Sequence, residues 1–207
     1  MGGGLKKKAS SRRDLTDEEL GVALSEIADG SDRVAAIMGC ALVENTLVGA
    51  LITCLEDASD AAKLFDDERG PFKSFYAQIV AAKAMGLFDA KIASALHAVR
   101  QIRNEFAHAI LSLEFETESI AKMCIKLKSF ENKDAHHEKV SPPRRYFEHA
   151  CYELTCELIR VGTRKFEKDI TIMKQRIALE EYQSRSNALS GLSHFLNTIP
   201  ASLKGRD

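Results

Sequence analysis

An arginine, an amide and an imidazole recur at helical spacing near the middle of the sequence. Arg100, Asn104 and His108 are each four residues apart, and Arg103 directly precedes Asn104. Residues four apart on an α-helix lie one turn above another on the same face. An arginine can hold a phosphate, and an imidazole that titrates near neutral pH can move a proton. The spacing therefore indicates a phosphate-binding or phosphate-cleaving site, and a simple solvated helix face remains the alternative.

These residues belong to a predicted amphipathic helix that begins near Asp89. Apolar residues recur on its other side at spacings of three and four, which is typical of a helix packed on a core. The apolar stripe comprises Ile92, Leu96, Val99, Ile102, Phe106 and Ile110. This helix is the element that must position the polar group.

A second long helix is predicted from Ser31 to about Asp57. Its expected inward stripe is Val34, Met38, Ala41, Val48 and Ile52. Glu44 and Asn45 lie at or beside this buried side, where polar groups nearly always have partners. We expect one of them to hold Arg103 from the facing helix; a local backbone or side-chain partner is the alternative.

The remaining pattern predicts an all-α protein, an antiparallel helical bundle with additional C-terminal helices. No segment shows the strict alternation of a strand. The other helices are predicted over residues 16–30, 61–65, 72–85, 117–127, 144–162, 165–185 and 189–196. Residues 16–185 form the predicted bundle domain, residues 186–207 a tail with one short helix, and residues 129–141 an exposed loop containing His136 and His137.

Residues 1–15 are predicted to form a disordered basic arm. Its cations are Lys6, Lys7, Lys8, Arg12 and Arg13. Such an arm is either a solvated tail or an electrostatic tether to RNA, DNA or an acidic partner. The net charge of the chain is −1, so any nucleic-acid contact must be local.

Other classes of chemistry lack their motifs. The sequence has no P-loop, no Gly-x-Gly-x-x-Gly, no His-Glu-x-x-His and no convincing helix-turn-helix. Its five cysteines form no ligand-spaced cluster, so we expect no metal site, no cofactor and a reducing cytoplasm. The longest apolar region, residues 34–55, is interrupted by Glu44, Asn45 and Thr46, so no membrane segment is expected.

The motif Arg103-Asn104-Glu105-Phe106-Ala107-His108 resembles the Arg-(four residues)-His pattern of the HEPN superfamily of small helical bundles. Residues 32–110 are also similar to the mannitol operon repressor (MtlR-like) family, which we take to be related to HEPN bundles. The similar segments are 32–36, 44–47, 70–72, 84–87 and 102–108. Together they cover well under half of the chain.

The two resemblances imply different functions. The MtlR-like one implies a bacterial regulator of transcription that acts through a protein partner, because no DNA-reading motif is recognisable. The HEPN one implies a metal-independent endoribonuclease whose site is completed across a homodimer. There His108 would be the general acid or base, Arg103 would stabilise the phosphate, Asn104 would position it and Arg100 would help to bind RNA. The longer resemblance favours the regulator.

Overall fold

The computed structural model describes residues 16–55, 58–65, 69–131 and 140–198, without the side chains at 17, 165, 166, 169 and 185–198. It confirms the all-α helical bundle, and the described residues contain no strand. The α-helices are α1 (Asp17–Asp29), α2 (Asp32–Ile52), α3 (Ala61–Phe65), α4 (Phe75–Ala84), α5 (Ala90–His108), α6 (Glu118–Ile125) and α7 (Pro142–Thr198). Short 3₁₀ turns occur at Ala58–Asp60 and Lys128–Phe130. The basic arm and the loop histidines His136 and His137 lie outside the described residues.

Helix starts follow the capping residues in the sequence. The backbone N–H of Glu19 donates to Thr16 Oγ1 at 3.2 Å, and the Thr16 N–H donates to Glu19 Oε2 at 3.0 Å, which together form a capping box. Ser31 accepts from the Val34 N–H at the start of α2. Asp89 Oδ1 accepts from the Ile92 N–H at 2.9 Å at the start of α5. The predicted starts of these three helices are confirmed.

The start of α4 was predicted wrongly at residue 72. The helix begins at Phe75, because the side chain of Ser74 accepts a hydrogen bond from the Ala77 N–H at 3.2 Å. Pro71 lies in the turn before it rather than in the first helical turn. The helix ends where predicted: Gly86 has a φ of 73°, a left-handed conformation that glycine adopts without steric cost.

Helix α2 is the centre of the core and contacts α1, α4 and α5. Because it is covered on several sides, its buried residues are not confined to one stripe. The predicted inward stripe is confirmed at Val48, which is buried, and at Met38 and Ile52, which are half-buried against the core. It is wrong at Val34 and Ala41, which are exposed, whereas Ala35, Ala36 and Leu47 are buried. The surroundings of Gly39 show how closely α2 packs against α7. A Cβ on Gly39 would lie 3.0 Å from a ring carbon of Phe147 and 3.1 Å from Cys151 Sγ.

Three aromatic rings connect α5 to α7 through the α5–α6 connection. The ring of Phe115 lies 4.9 Å from that of Phe106 and 5.2 Å from that of Phe147, between ring centroids. All three side chains are fully buried. The backbone N–H of Phe115 donates to Asp32 Oδ2 at 2.9 Å, which fixes this connection to the start of α2.

The C-terminal helices predicted as separate elements form one continuous helix, α7, so the breaks predicted near residues 163 and 186 are wrong. Gly162 has no left-handed φ, and a single glycine within a helix costs only about 1 kcal/mol relative to alanine. The predicted inward residues of its first part (Phe147, Cys151, Leu154 and Leu158) are buried. The chain divides into two compact units, Met1–Thr163 (unit 1) and Arg164–Asp207 (unit 2).

One described helix is long and apolar enough to cross a membrane by length and composition, and this is α2, with a mean hydropathy of 1.8. Within the 18-residue window of α2 over which this hydropathy was averaged, 56% is buried inside the protein. The core helix of a bundle meets the same criterion, and α2 packs against α1, α4 and α5.

Candidate functional site

The candidate site lies between α2 and α5, which run in opposite directions. Arg33, in the first turn of α2, donates from Nη2 to the carbonyl oxygens of Ala109 (2.6 Å) and Leu111 (3.2 Å), just beyond the end of α5. The two helices therefore face each other along their length, and the middle of α2 lies beside the motif on α5.

Arg103 reaches from α5 to Glu44 on α2. Arg103 Nη2 lies 3.6 Å from Glu44 Oε2, and the side chains are 33% and 19% exposed, respectively. This is an ion-pair distance that is too long for a hydrogen bond of normal geometry. The structure thus brings Arg103 to Glu44, one of the two α2 residues of which one was expected to hold it. Asn45 is half-buried and lines a groove of about 370 Å³ that also includes Thr155 and Leu158 of α7.

A thiol that the sequence did not single out lies beside this ion pair. Burial raises the pKa of Cys40 to about 11, although the neighbouring Arg103 guanidinium acts to lower it. The thiol is therefore protonated at neutral pH and is not an activated nucleophile. The sequence contains a signal for this position, because Cys40 and Glu44 are four residues apart and therefore lie on one face of α2.

Arg100 contacts α4. Its Cζ lies 5.5 Å from the ring centroid of Tyr76, within the range of a cation–π contact. Its Nε is buried and has no hydrogen-bond partner among the described residues. The ring of His97 lies 5.4 Å from the same tyrosine. Tyr76 had no motif that could have indicated this role.

The electrostatic surroundings of His97 are positive. Burial lowers the pKa of His97 below its usual value, and the charges of Arg100 and Lys83 lower it further. A surface groove of about 700 Å³ lies here between α4 and α5. Its polar lining consists of Lys83, Ser94, His97, Gln101 and Lys126, without an acidic residue.

His108 is the last residue of α5 and is exposed, whereas Asn104 is half-buried. Across the described residues, His108 makes no hydrogen bond or ion pair. At 3.6 residues per turn, positions 103 and 108 differ by about 140° around the helix axis. Arg103 is directed at α2, so the two side chains start from different faces of α5. One residue of the predicted apolar stripe was placed wrongly: Ile110 lies beyond the helix and is 98% exposed.

The site therefore consists of an arginine–carboxylate contact beside a buried thiol, next to a second arginine on an aromatic ring. In the described ranges, no three His, Cys, Asp or Glu side chains approach closely enough to hold a metal ion. The fold and site define the class as an all-α helical bundle with a cationic side on α5. Comparison with protein-family models, curated proteins and solved structures finds no match to this chain.

Proposed function

We propose that this chain is a bacterial regulatory protein of the mannitol-operon-repressor type, which controls transcription by binding a protein partner. The observation that supports this proposal most directly is an exposed apolar pair immediately after the motif. Ile110 is 98% exposed and Leu111 is 80% exposed. Adjacent large aliphatic side chains that remain in water are typical of a protein-binding surface.

The backbone around this pair is held in place. Arg33 binds the carbonyl oxygens of Ala109 and Leu111, one on each side of Ile110. The exposure of Ile110 is thus a feature of an anchored segment rather than of a loose loop. A partner would bury both side chains, a gain of about 1.5–3 kcal/mol for each large aliphatic side chain.

The proposal is tested by deleting the gene and measuring transcription of the neighbouring operons. We expect increased transcription of one operon, restored to its original level by the wild-type chain but not by the double variant Ile110→Asp, Leu111→Asp. The matched control is Ile125→Asp, which changes another exposed isoleucine, on α6. Unchanged transcription after deletion would contradict regulation, and full complementation by the double variant would contradict the docking surface.

A metal-independent endoribonuclease is the second candidate, supported by the exposure of His108 on the same line as Arg100 and Asn104. Since Arg103 and His108 start from different faces of α5, this function would require a second chain to complete the site. His108 would act on the ribose 2′-OH, and Arg100 or Arg103 would stabilise the phosphate.

The nuclease candidate is tested with single-stranded RNA and purified full-length protein in the presence of a chelator. Cleavage that His108→Ala abolishes, at an unchanged melting temperature, would support it. Glu105→Ala is the matched control, because Glu105 is an exposed residue of the same helix. Absence of cleavage by the wild type, or full cleavage by His108→Ala, would count against catalysis.

A further inference from the structure

Unit 2 exposes a short apolar stripe on its helix, from Ile170 to Ile177. In the described part of this unit, residues 164–198, the end of α7 is the only element. Ile170, Met173 and Ile177 are 36%, 63% and 51% exposed, respectively. An isolated helix gains little stability from its own hydrogen bonds and usually depends on packing of its apolar face. This helix therefore has an unpartnered face.

The spacing of the stripe defines a coiled-coil register. Steps of three and then four residues make Ile170 an a position, Met173 a d position and Ile177 the next a position. If Ile170 were a d position instead, the first step would be four residues and the second three, which is the reverse of the observed spacing. β-Branched isoleucine at position a favours two parallel strands over higher oligomers. The residue types thus fit a dimer.

A second apolar group on the same helix does not form such a seam. Ile172, Leu179 and Tyr182 are exposed on another side, about 180° from Ile170 for the first two. At the spacing of a seam, the position between Ile172 and Leu179 is Gln175, a polar residue. This group is therefore interrupted within its span, whereas the first stripe is apolar at three successive seam positions and ends at Glu180, the next d position.

We propose that unit 2 pairs with a second copy of this chain as a parallel, in-register, two-stranded coiled coil, with Ile170, Met173 and Ile177 in the seam. The flanking charges specify the partner and its direction. In a parallel pair, position g faces position e of the partner five residues further on. Arg176 is at g and Glu181 is at e, so Arg176 meets Glu181 of the partner subunit, twice by symmetry. This pairing of opposite charges arises when the partner helix has the same sequence as this one.

The pairing is tested by analytical ultracentrifugation of the full chain over a range of concentrations. We expect a dimer for the wild type and for the matched control Ile172→Lys, Leu179→Lys. The seam variant Ile170→Lys, Ile177→Lys should be monomeric, with a dissociation constant raised at least about 100-fold. Lysine favours helix at least as well as isoleucine, so loss of pairing would not reflect loss of the helix. A monomeric wild type, a dimeric seam variant or a monomeric control would each overturn the proposal.

The direction of the pair is tested by exchanging the charges. Arg176→Glu alone and Glu181→Arg alone should each place like charges together and weaken the dimer by about tenfold. The double variant restores an opposite-charge pair in the parallel arrangement and should recover the wild-type dissociation constant. Failure of the double variant to recover it would exclude the parallel register. Circular dichroism melting of each variant checks that unit 1 remains folded.

Discussion

Two arginines connect helices in unit 1, and they are satisfied to very different degrees. Arg144, in the first turn of α7, donates from Nε to Glu148 at 2.7 Å and from Nη1 to Asp32 at 2.9 Å. Its Nη2 donates to three carbonyl oxygens at the end of α1, those of Ile27, Ala28 and Gly30. Among the described residues, Arg103 lies 3.6 Å from one carboxylate, that of Glu44, and beside the thiol of Cys40.

The difference shows that Arg144 is held by more protein groups than Arg103 is in the described structure. Arg144 is 14% exposed, and a charge removed from water to that extent is tolerated when its donors are saturated. Burial acts to lower the pKa of Arg144, but the hydrogen bonds and charges of Glu148 and Asp32 outweigh it and raise the pKa. Arg103 is 33% exposed and lies on the same helix as Arg100, whose Nε has no partner in the described structure.

The largest expected effect follows from removing the saturated arginine. Arg144→Ala should lower the free energy of unfolding by about 3–5 kcal/mol, because Asp32 would remain partly buried without its cation and three carbonyl oxygens at the end of α1 would lose their donor. Urea denaturation followed by circular dichroism measures this loss. Arg160→Ala, in an exposed i,i+3 pair with Glu157, is the control and should change stability by about 0.5 kcal/mol or less. Equal losses in the two variants would remove the distinction.

A smaller effect is expected at the second arginine. A double-mutant cycle of Arg103→Ala and Glu44→Ala should give a coupling energy below about 1 kcal/mol, as for partly exposed ion pairs. The measurement is the same urea denaturation applied to the two single variants and the double variant. A coupling energy above about 2 kcal/mol would mean that Arg103 is a structural residue like Arg144.

The smallest effect concerns the excess positive charge beside Arg100. The folded-state pKa of His97 is lowered, so the unfolded chain binds more protons as the pH falls through the usual pKa of 6.5. The contribution of neutral His97 to the free energy of unfolding is therefore present above pH 6.5 and is lost as the pH falls below it. In NMR titration, Lys83→Gln should raise the pKa of His97, whereas Lys122→Gln, paired with Glu118 on α6, should leave it unchanged. An unchanged pKa in Lys83→Gln would remove the evidence for a local positive field.

Local signals in the sequence were enough to predict the helices but not every boundary or face. Thr16, Ser31 and Asp89 are capping residues whose effect depends on the next three positions only, and all three were predicted correctly. Ser74 was missed because Pro71 offered an alternative start. The inward stripe of α2 was predicted only in part, because a helix surrounded by others is apolar on most sides, which leaves its period ambiguous.

The site was predictable where polar residues fell on two helices that were expected to face each other. A contact from Arg103 to either Glu44 or Asn45 was expected, and the structure shows the contact with Glu44. The Arg144 cluster could not be predicted, since Asp32 lies 112 positions away in the sequence and only the tertiary fold brings the two together. The same applies to Tyr76 beneath Arg100, because no pattern within α4 shows which of its side chains meets α5.

The two hydrogen bonds from Arg33 to the carbonyls on either side of Ile110 have a thermodynamic consequence. Fixing the backbone of one residue costs about 1–2 kcal/mol of conformational entropy, and here folding has already met that cost for the segment. A protein that binds Ile110 would encounter a preorganised shape and lose less entropy than it would with a mobile peptide. An arginine of another helix, which holds the backbone of this segment, would thereby set how readily a partner recognises it.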